Sequence, residues 1–338
     1  PAARAMLAAT PHDAPWHYRN KLHFVVERGR SGALVMGHYA RFSRRVVAVR
    51  ECPVQDERGN AVAFALRDAC LWADTRDVKS IAVRAGHSKP ETMATLVVTS
   101  AQDKRLRAAS RRALSTRVAP TSLHVNVHPR GDAFIFGRET RHIAGPERLR
   151  EDLGGASFLI SPTSFFQTNV RAAEILVQQV LDAVPAGATV LDLYAGVGLF
   201  ALPLALRGHT VTAVEENRSA VTDGEASLGL SRVPKDRCQF IAKPVEVALG
   251  PGRHSLPQNF DVVVLDPPRE GCHPSVIDRV LGRRVPTRVV YVSCDRESLA
   301  RDLAHITACG YAIDSMQPVD MFPHTPHIET VVMLTRAG

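Results

Sequence analysis

From residue 170 onward, helical and strand patterns alternate at a steady rhythm. That alternation restricts the fold more than any single motif. Apolar residues at helical spacing predict helices over 170–183, 199–207, 217–229, 274–283 and 296–308. Between them, β-branched runs predict strands over 189–194, 210–214, 238–241, 261–265 and 288–292, with two more near 311–317 and 328–335. Parallel strands need crossover connections, and helices between buried strands supply them. The second half is therefore predicted to be a doubly wound, Rossmann-like α/β domain.

The residues before it have a different rhythm. Short β-rich runs, "KLHFVVE", "GALVMGHYA", "RRVVAV", "SIAVRAG", "TLVVTS", "LHVNVHP" and "DAFIFG", are punctuated by Gly, Pro, Asn and Asp. Two helices are predicted among them, over 61–74 and 104–115, the second basic on most faces. The expected organisation is a tail over 1–16, a β-rich α+β domain over 17–155 and the α/β domain over 156–338. Charge divides at nearly the same place. Residues 1–150 hold 26 Lys and Arg against 13 Asp and Glu, a net +13, whereas residues 151–338 net −5. A basic half beside an acidic one points to a polyanionic partner for the first half.

Other partners and settings are narrowed by what the chain lacks. No apolar run approaches membrane-spanning length, and the first residues lack the basic-then-apolar pattern of a secretory leader. The six cysteines, Cys52, Cys70, Cys238, Cys272, Cys294 and Cys309, form no CxxC pair. Neither a structural zinc nor an iron–sulfur cluster is expected, and the absence of a disulfide framework points to a reducing, cytoplasmic setting.

Three strand ends in the α/β half carry chemistry. "TVLDLYAGVGLFALPLA" (189–205) reads as strand, glycine turn and helix, with Gly196 and Gly198 allowing close approach of a ligand. This is shorter than the GxGxxG that cradles a pyrophosphate. The next strand ends in Glu215, about 20 residues on, where an acid can hold ribose hydroxyls. Together these favour S-adenosylmethionine over a dinucleotide. "FDVVVLDPPREGC" (260–272) ends a buried strand in Asp266-Pro267-Pro268-Arg269. Adenine and cytosine amino-methyltransferases place an aromatic residue after a related Pro-Pro; Arg269 stands there instead.

The third is "RVVYVSCDRESLARDL" (288–303). Cys294 follows the strand's apolar run rather than sitting inside it, and a helix begins just after. It should lie at the same carboxyl edge as Gly196, Glu215 and Asp266. The helix N-terminus can favour a thiolate, whose ordinary pKa is about 8.5, while Asp295 opposes this and suits an N-cap. Beside a methyl donor, a thiolate has a specific use. Added to carbon 6 of a pyrimidine, it makes carbon 5 nucleophilic, and a base must later remove the carbon-5 proton. "FPHTPHIETVVML" (322–334) offers Glu329 for that base, with His324 and His327 as rivals.

The motifs "SPTSFFQTN" (161–169), "DLYAGVG", "VEEN", "LDPPREG", "YVSCD" with "LARDL", and "PHTPHIETV" resemble, in order, those of the RNA uracil-5 methyltransferase family. That family makes 5-methyluridine in tRNA and 23S rRNA. The resemblance implies a class I S-adenosylmethionine-dependent methyltransferase domain preceded by a β-rich RNA-binding domain. It implies Cys294 as nucleophile and Glu329 as base. Gln167, Tyr194, Gly196, Gly198, Glu215 and Asp266 would hold the methyl donor or orient the uracil. Arg269, Arg105 and Arg111 are expected at the RNA, within a basic set that also includes Arg41, Arg44, Arg45, Lys104, Arg107 and Arg112. Phe165 and Phe166 read as core. Leu199 stands where members often carry a polar residue. Lys243-Pro244 stands where they often carry the Asp or Asn that reads the adenine amine, a role that is vacant here or passes to Glu246.

The expected target is a tRNA or 23S rRNA loop, bound by a monomer, with the base out of its stack. "SFFQTN" leans toward the rRNA-type members; the lack of extra domains leans toward the tRNA type. A cytosine-C5 RNA methyltransferase is the nearest alternative, although such enzymes usually show a second cysteine. An RNA-binding or RNA-folding module with a vestigial methyltransferase fold is the other.

Overall fold

The computed structural model describes residues 5–8, 15–29, 32–129, 135–250, 256, 259–283 and 285–337. The chain forms two compact units, one of Trp16–Glu151 with Ser161–Thr163, the other of Asp152–Ile160 and Ser164–Gly338 with residues up to Pro15.

After a two-residue strand β1 (Leu7–Ala8), the first unit contains β2 (Lys21–Arg28), β3 (Leu34–Tyr39), β4 (Val46–Ala48), α1 (Glu57–Trp72), β5 (Val78–Ala85), β6 (Thr92–Val98), α2 (Lys104–Leu114), β7 (Ser122–Val127) and β8 (Glu139–Ala144). Its strands form one sheet in the order β4-β3-β2-β5-β6-β7-β8. Leu22, Phe24 and Val26 of β2 alternate toward a core with Leu66 and Ala69 of α1 and Leu106, Ala109 and Ala113 of α2. The α2 helix is thus amphipathic rather than basic on most faces. Its apolar stripe is buried, and Lys104, Arg105, Arg107, Arg111 and Arg112 are exposed. Helix α1 starts four residues before the expected 61, because Asp56 caps it by accepting from the Arg58 and Gly59 amides. Residues 135–137 of "DAFIFG" lie outside any strand, and 132–134 are outside the described residues. The strand instead follows at β8, whose polar, exposed edge carries little apolar signal.

The chain continues through a hairpin of β9 (Leu149–Leu153) and β10 (Ala156–Ile160), turning on Gly154 and Gly155 with φ of +59° and +78°. Then come α3 (Val170–Ala183), β11 (Thr189–Leu193), α4 (Ala201–Leu206), β12 (Thr210–Glu215), α5 (Arg218–Leu230), β13 (Cys238–Ala242), α6 (Val245–Ala248), β14 (Val262–Leu265), α7 (Pro274–Leu281), β15 (Arg288–Ser293), α8 (Arg296–Ala308), β16 (Tyr311–Asp320) and β17 (Glu329–Arg336).

The large sheet runs β1-β16-β17-β15-β14-β11-β12-β13. From β15 to β13 all neighbours are parallel, and β17 inserts antiparallel between β15 and β16. Strand β14, Val-Val-Val-Leu, is buried throughout, as a central parallel strand must be. The segment expected as a tail adds Leu7–Ala8 to the far edge, parallel to β16. Strand order reverses between β11 and β14, one leading out to β12 and the other to β15. Such a switch point opens a crevice at the carboxyl ends of the strands. No helix of the described residues is long and apolar enough to cross a membrane.

Candidate active site

The turn after β11 forms one wall of that crevice. Tyr194 adopts φ +65°, a left-handed conformation that costs a non-glycine residue about 1–2 kcal/mol. Gly196 and Gly198 follow at +56° and +89°. The two glycines serve different ends. A Cβ on Gly196 would meet nothing within 4 Å, whereas one on Gly198 would collide with Leu202 and Phe240. Gly196 therefore faces open space, and Gly198 lets α4 pack. Glu215, at the end of β12, accepts the Gly196 N–H at 2.9 Å and the Asn217 N–H at 2.8 Å. Its carboxylate fixes the turn as well as facing the crevice. Asn217 in turn caps α5 through the Ser219 amide. A cavity of about 660 Å³ opens here, lined by Tyr194, Glu215, Glu216, Val245, Glu246 and Asp266 on one part and by Cys272, His273 and Arg301 on another.

Asp266 directly follows β14, across the switch point. The loop after it is pinned to α8 by Asp302, a carboxylate only 2% exposed. Asp302 accepts the Tyr291 hydroxyl at 2.6 Å and the Cys272 amide at 2.7 Å, and pairs with Arg301 at 2.9 Å. Arg301 also donates to the Glu270 carbonyl at 2.6 Å. The turn carrying Arg269 is thereby tied to the helix that follows Cys294. "LARDL" contains these two residues, but nothing in their spacing announces the role. Asp192, inside β11, is a second buried acid that sequence patterning does not single out. It is fully buried and its oxygens have no well-formed hydrogen bond; burial first, then Asp266 and Glu215, push its carboxyl well up.

Cys294 sits where β15 gives way to α8. The β15/β17 ladder ends at the Ser293–Thr330 pair, so Cys294 and Glu329 are the next residues along the two neighbouring strands. Ser293 Oγ donates to the Asp295 carbonyl at 2.8 Å, and Asp295 caps α8 by accepting the Glu297 and Ser298 amides. This tight turn leaves Cys294 half-buried while the residues before it are buried. The thiol is not tuned toward thiolate. Burial, then the charges of Glu329 and Asp266, raise it to about 11, and the Arg269 guanidinium opposes them only in part. The expected help from the α8 N-terminus is outweighed by this desolvation and acidic company.

Gln167 is buried and lines a small recess together with Phe165, Tyr194, Gly196, Leu199 and Asp266. Its loop is anchored on both sides. Ser164 donates to the buried Asp223 at 2.6 Å, and Asn169 caps α3 while donating to the Met321 carbonyl at 3.1 Å. Phe166 is core, packed on Phe158, but Phe165 is 62% exposed and is not. The Ser164 and Asn169 anchors hold the loop with Phe166 inward and Phe165 outward. Neither His324 nor His327 is among the groups whose charge reaches the Cys294 thiol; His324 is bonded to the Pro15 carbonyl, and His327 stands edge-on to Phe322. Arg105 and Arg111 belong to the other unit, on α2. Arg105 is held in an exposed ion pair with Asp74 at 2.7 Å.

Comparison with known proteins agrees with this geometry. The sequence model of the tRNA (uracil-5-)-methyltransferase family matches residues 255–337. An uncharacterized RNA methyltransferase of Gloeobacter violaceus is 35% identical over 96% of this chain and 71% of its own length. One from Thermosynechococcus vestitus is 36% identical over 99% and 75%. The chain belongs to the RNA (uracil-5-)-methyltransferase family. The crystal structure of Pyrococcus abyssi tRNA (uracil-54, C5)-methyltransferase, in complex with S-adenosyl-L-homocysteine, superimposes with a TM-score of 0.79 at 26% identity, covering 98% of this chain and 79% of that one.

The cavity residues of this family member suit a methionine nucleoside. The open side of Gly196 admits a ligand against the backbone, and Glu215 and Glu246 offer carboxylates to hydroxyl and amine groups. A pyrophosphate would need cations, and Arg301, the one Lys or Arg among the described residues of the wall, is already engaged by Asp302 and Glu270.

The same burial has a measurable consequence for stability. It raises the Glu329 carboxyl from 4.5 to about 8, with Asp266 adding and Arg269 opposing. Asp266 rises from 3.8 to about 7, by burial. Both folded values lie above the unfolded ones, so the stabilising contribution is complete below pH about 4 and is lost as pH climbs through 8. Glu329→Gln is expected to stabilise the ligand-free chain by about 1–4 kcal/mol at pH 9 and by almost nothing at pH 4. Urea unfolding at the two pH values reads this, and an equal effect at both would dismiss charge burial as the cause.

Proposed function

We propose that the chain transfers a methyl group to carbon 5 of a uracil in RNA, through a covalent adduct between Cys294 and carbon 6. The reading rests on one observation: the Cys294 thiol and the Glu329 carboxyl occupy adjacent strand ends, electrostatically coupled to each other, to Asp266 and to Arg269. S-adenosylmethionine, held by Gly196, Glu215 and their neighbours, would supply an electrophilic methyl group.

The residues then have distinct tasks. A thiol near 11 must give up its proton as it attacks, and the raised Asp266 carboxylate is a base close enough in strength to take it, which leaves Glu329 ionised for the later step. The sulfur bonds to carbon 6, and the carbon 5–carbon 6 pair moves toward the oxygen on carbon 4. The Arg269 guanidinium, whose charge acts on Cys294 and Glu329, would favour that developing negative charge. Once carbon 5 is methylated, the Glu329 carboxylate removes its proton. The electron pair restores the double bond and the sulfur leaves. Attack occurs on the ring face, so the uracil must be unstacked. Gln167 and the exposed Phe165 ring border a recess suited to holding it there.

tRNA is the first substrate to offer, since the solved relative acts on uracil 54 of tRNA. The chain would be incubated with methyl-labelled donor and, separately, tRNA and 23S rRNA, followed by nucleoside analysis. The expected product is 5-methyluridine in one pool. RNA bearing 5-fluorouridine at the target should remain covalently bound, because its carbon 5 carries no removable proton. Label in 5-methylcytidine, with trapping by 5-fluorocytidine instead, would replace the uracil reading with the cytosine one. RNA binding without label in either pool would favour a vestigial module.

A further inference from the structure

The tip of the β3–β4 hairpin combines three features that its own packing does not require. Phe42 is 95% exposed. It adopts φ +56°, a conformation that disfavours any residue with a Cβ and suits glycine. Around it, Arg41, Arg44, Arg45 and Arg50 are exposed, residues 39–50 contain no acid, and none of these arginines forms an ion pair among the described residues. The tip is also built rather than loose. The Ala40 amide donates to the Arg45 carbonyl at 2.8 Å, the Ser43 amide to the Ala40 carbonyl at 3.0 Å, and the Arg45 amide to Ser43 Oγ at 2.9 Å. The Arg41 guanidinium lies 4.8 Å from the centre of the Phe42 ring.

An exposed aromatic ring backed by a guanidinium and flanked by cations is the arrangement that stacks a nucleobase while holding its phosphates. Tyr39 and Val47 on the flanking strands are exposed as well, but the tip sets Phe42 among Arg41, Arg44 and Arg45 with no acid from 39 to 50, a charge that favours a polyanion over an apolar protein surface. We propose that the β3–β4 hairpin is a single-strand RNA clamp, in which Phe42 stacks on an unpaired base and Arg44 and Arg45 take the adjoining phosphates. This rests on the chain acting on RNA and adds a second point of grip, on the unit that does not hold Cys294.

The test exploits the backbone strain. Glycine at 42 relieves the left-handed conformation but removes the ring. Phe42→Gly is therefore expected to raise the melting temperature by about 2–4 °C while weakening binding of a fluorescent single-stranded RNA of about ten nucleotides at least fivefold. Phe42→Trp should bind within twofold of the parent. Arg44→Ala should lower the slope of log affinity against log salt by about one, a slope Phe42→Gly leaves unchanged. S-adenosylhomocysteine affinity should be unaltered in all three. The proposal fails if Phe42→Gly binds the RNA like the parent, if Phe42→Trp is as weak as Phe42→Gly, or if Phe42→Gly weakens polyglutamate binding equally, which would indicate a docking site for acidic proteins. Those outcomes leave RNA methylation by the parent intact. A parent that methylates no RNA strikes the functional reading itself, whatever the hairpin binds.

Discussion

Cys294→Ala is expected to abolish methyl transfer, by at least about 10⁴-fold, and with it every covalent complex with RNA. The size of the effect follows from the chemistry. Without addition at carbon 6, carbon 5 of uracil is too weak a nucleophile to accept a methyl group, and no neighbouring side chain can replace the sulfur. Asp266 and Glu329 are carboxyl groups, far weaker nucleophiles toward carbon than a thiolate, and Arg269 is a cation. The loss should be confined to chemistry. Cys294 is half-buried and outside the hydrophobic core, and the turn that presents it is held by Ser293 and Asp295. S-adenosylhomocysteine binding and melting temperature should therefore stay near parental values. Transfer of labelled methyl groups to RNA, measured with binding of S-adenosylhomocysteine as the control, decides the matter. A variant that methylates within tenfold of the parent removes Cys294 from the mechanism. A pH series on the parent adds a direction: with the thiol near 11, the rate should climb from pH 6 to pH 9 rather than level off near neutrality.

The path from sequence to site was legible where it depended on periodicity and lost where it depended on tertiary pairing. Alternating helices and strands from 170 to 336 are local signals, each carried by its own side chains, so the α/β class and most boundaries can be read one segment at a time. The insertion of β17 between β15 and β16 is not local. Yet that insertion is what sets Glu329 beside Cys294, 35 residues away in sequence. Motif resemblance singled out both residues without supplying the pairing. The electrostatics of the site were misjudged for a related reason. A helix N-terminus next to Cys294 is visible in the sequence, but burial and the two converging acids, which dominate, are not. Nothing in the spacing of the 296–308 helix marks Asp302; only the fold turns it inward onto Tyr291 and the Cys272 amide. Phe42 presents the opposite difficulty. It falls between two β-rich runs, and its exposure follows from a left-handed turn that no hydrophobic pattern encodes.

Glu329→Gln should separate the two halves of the reaction. The amide keeps the shape of the carboxyl and can still hydrogen-bond, but it cannot take a proton from carbon 5. Sulfur addition and methylation precede that step, so the variant is expected to form the methylated adduct and stall, with turnover reduced about 10²–10⁴-fold. Two further features favour accumulation. Removing the Glu329 charge takes away one of the acids that raise the Cys294 thiol, so the attacking thiolate becomes easier to form. Glu329 is 4% exposed, which leaves little room for water to reach carbon 5 in its place. Denaturing gels of the variant with labelled RNA should show a retarded band that requires S-adenosylmethionine and carries the methyl label. The parent should show the band only transiently, and Glu329→Gln combined with Cys294→Ala not at all. Loss of the band altogether, with the methyl donor present, would mean that Glu329 acts before methylation, as the acceptor of the thiol proton, and Asp266 would then be the remaining carboxylate in the field of Cys294 to serve as the carbon-5 base.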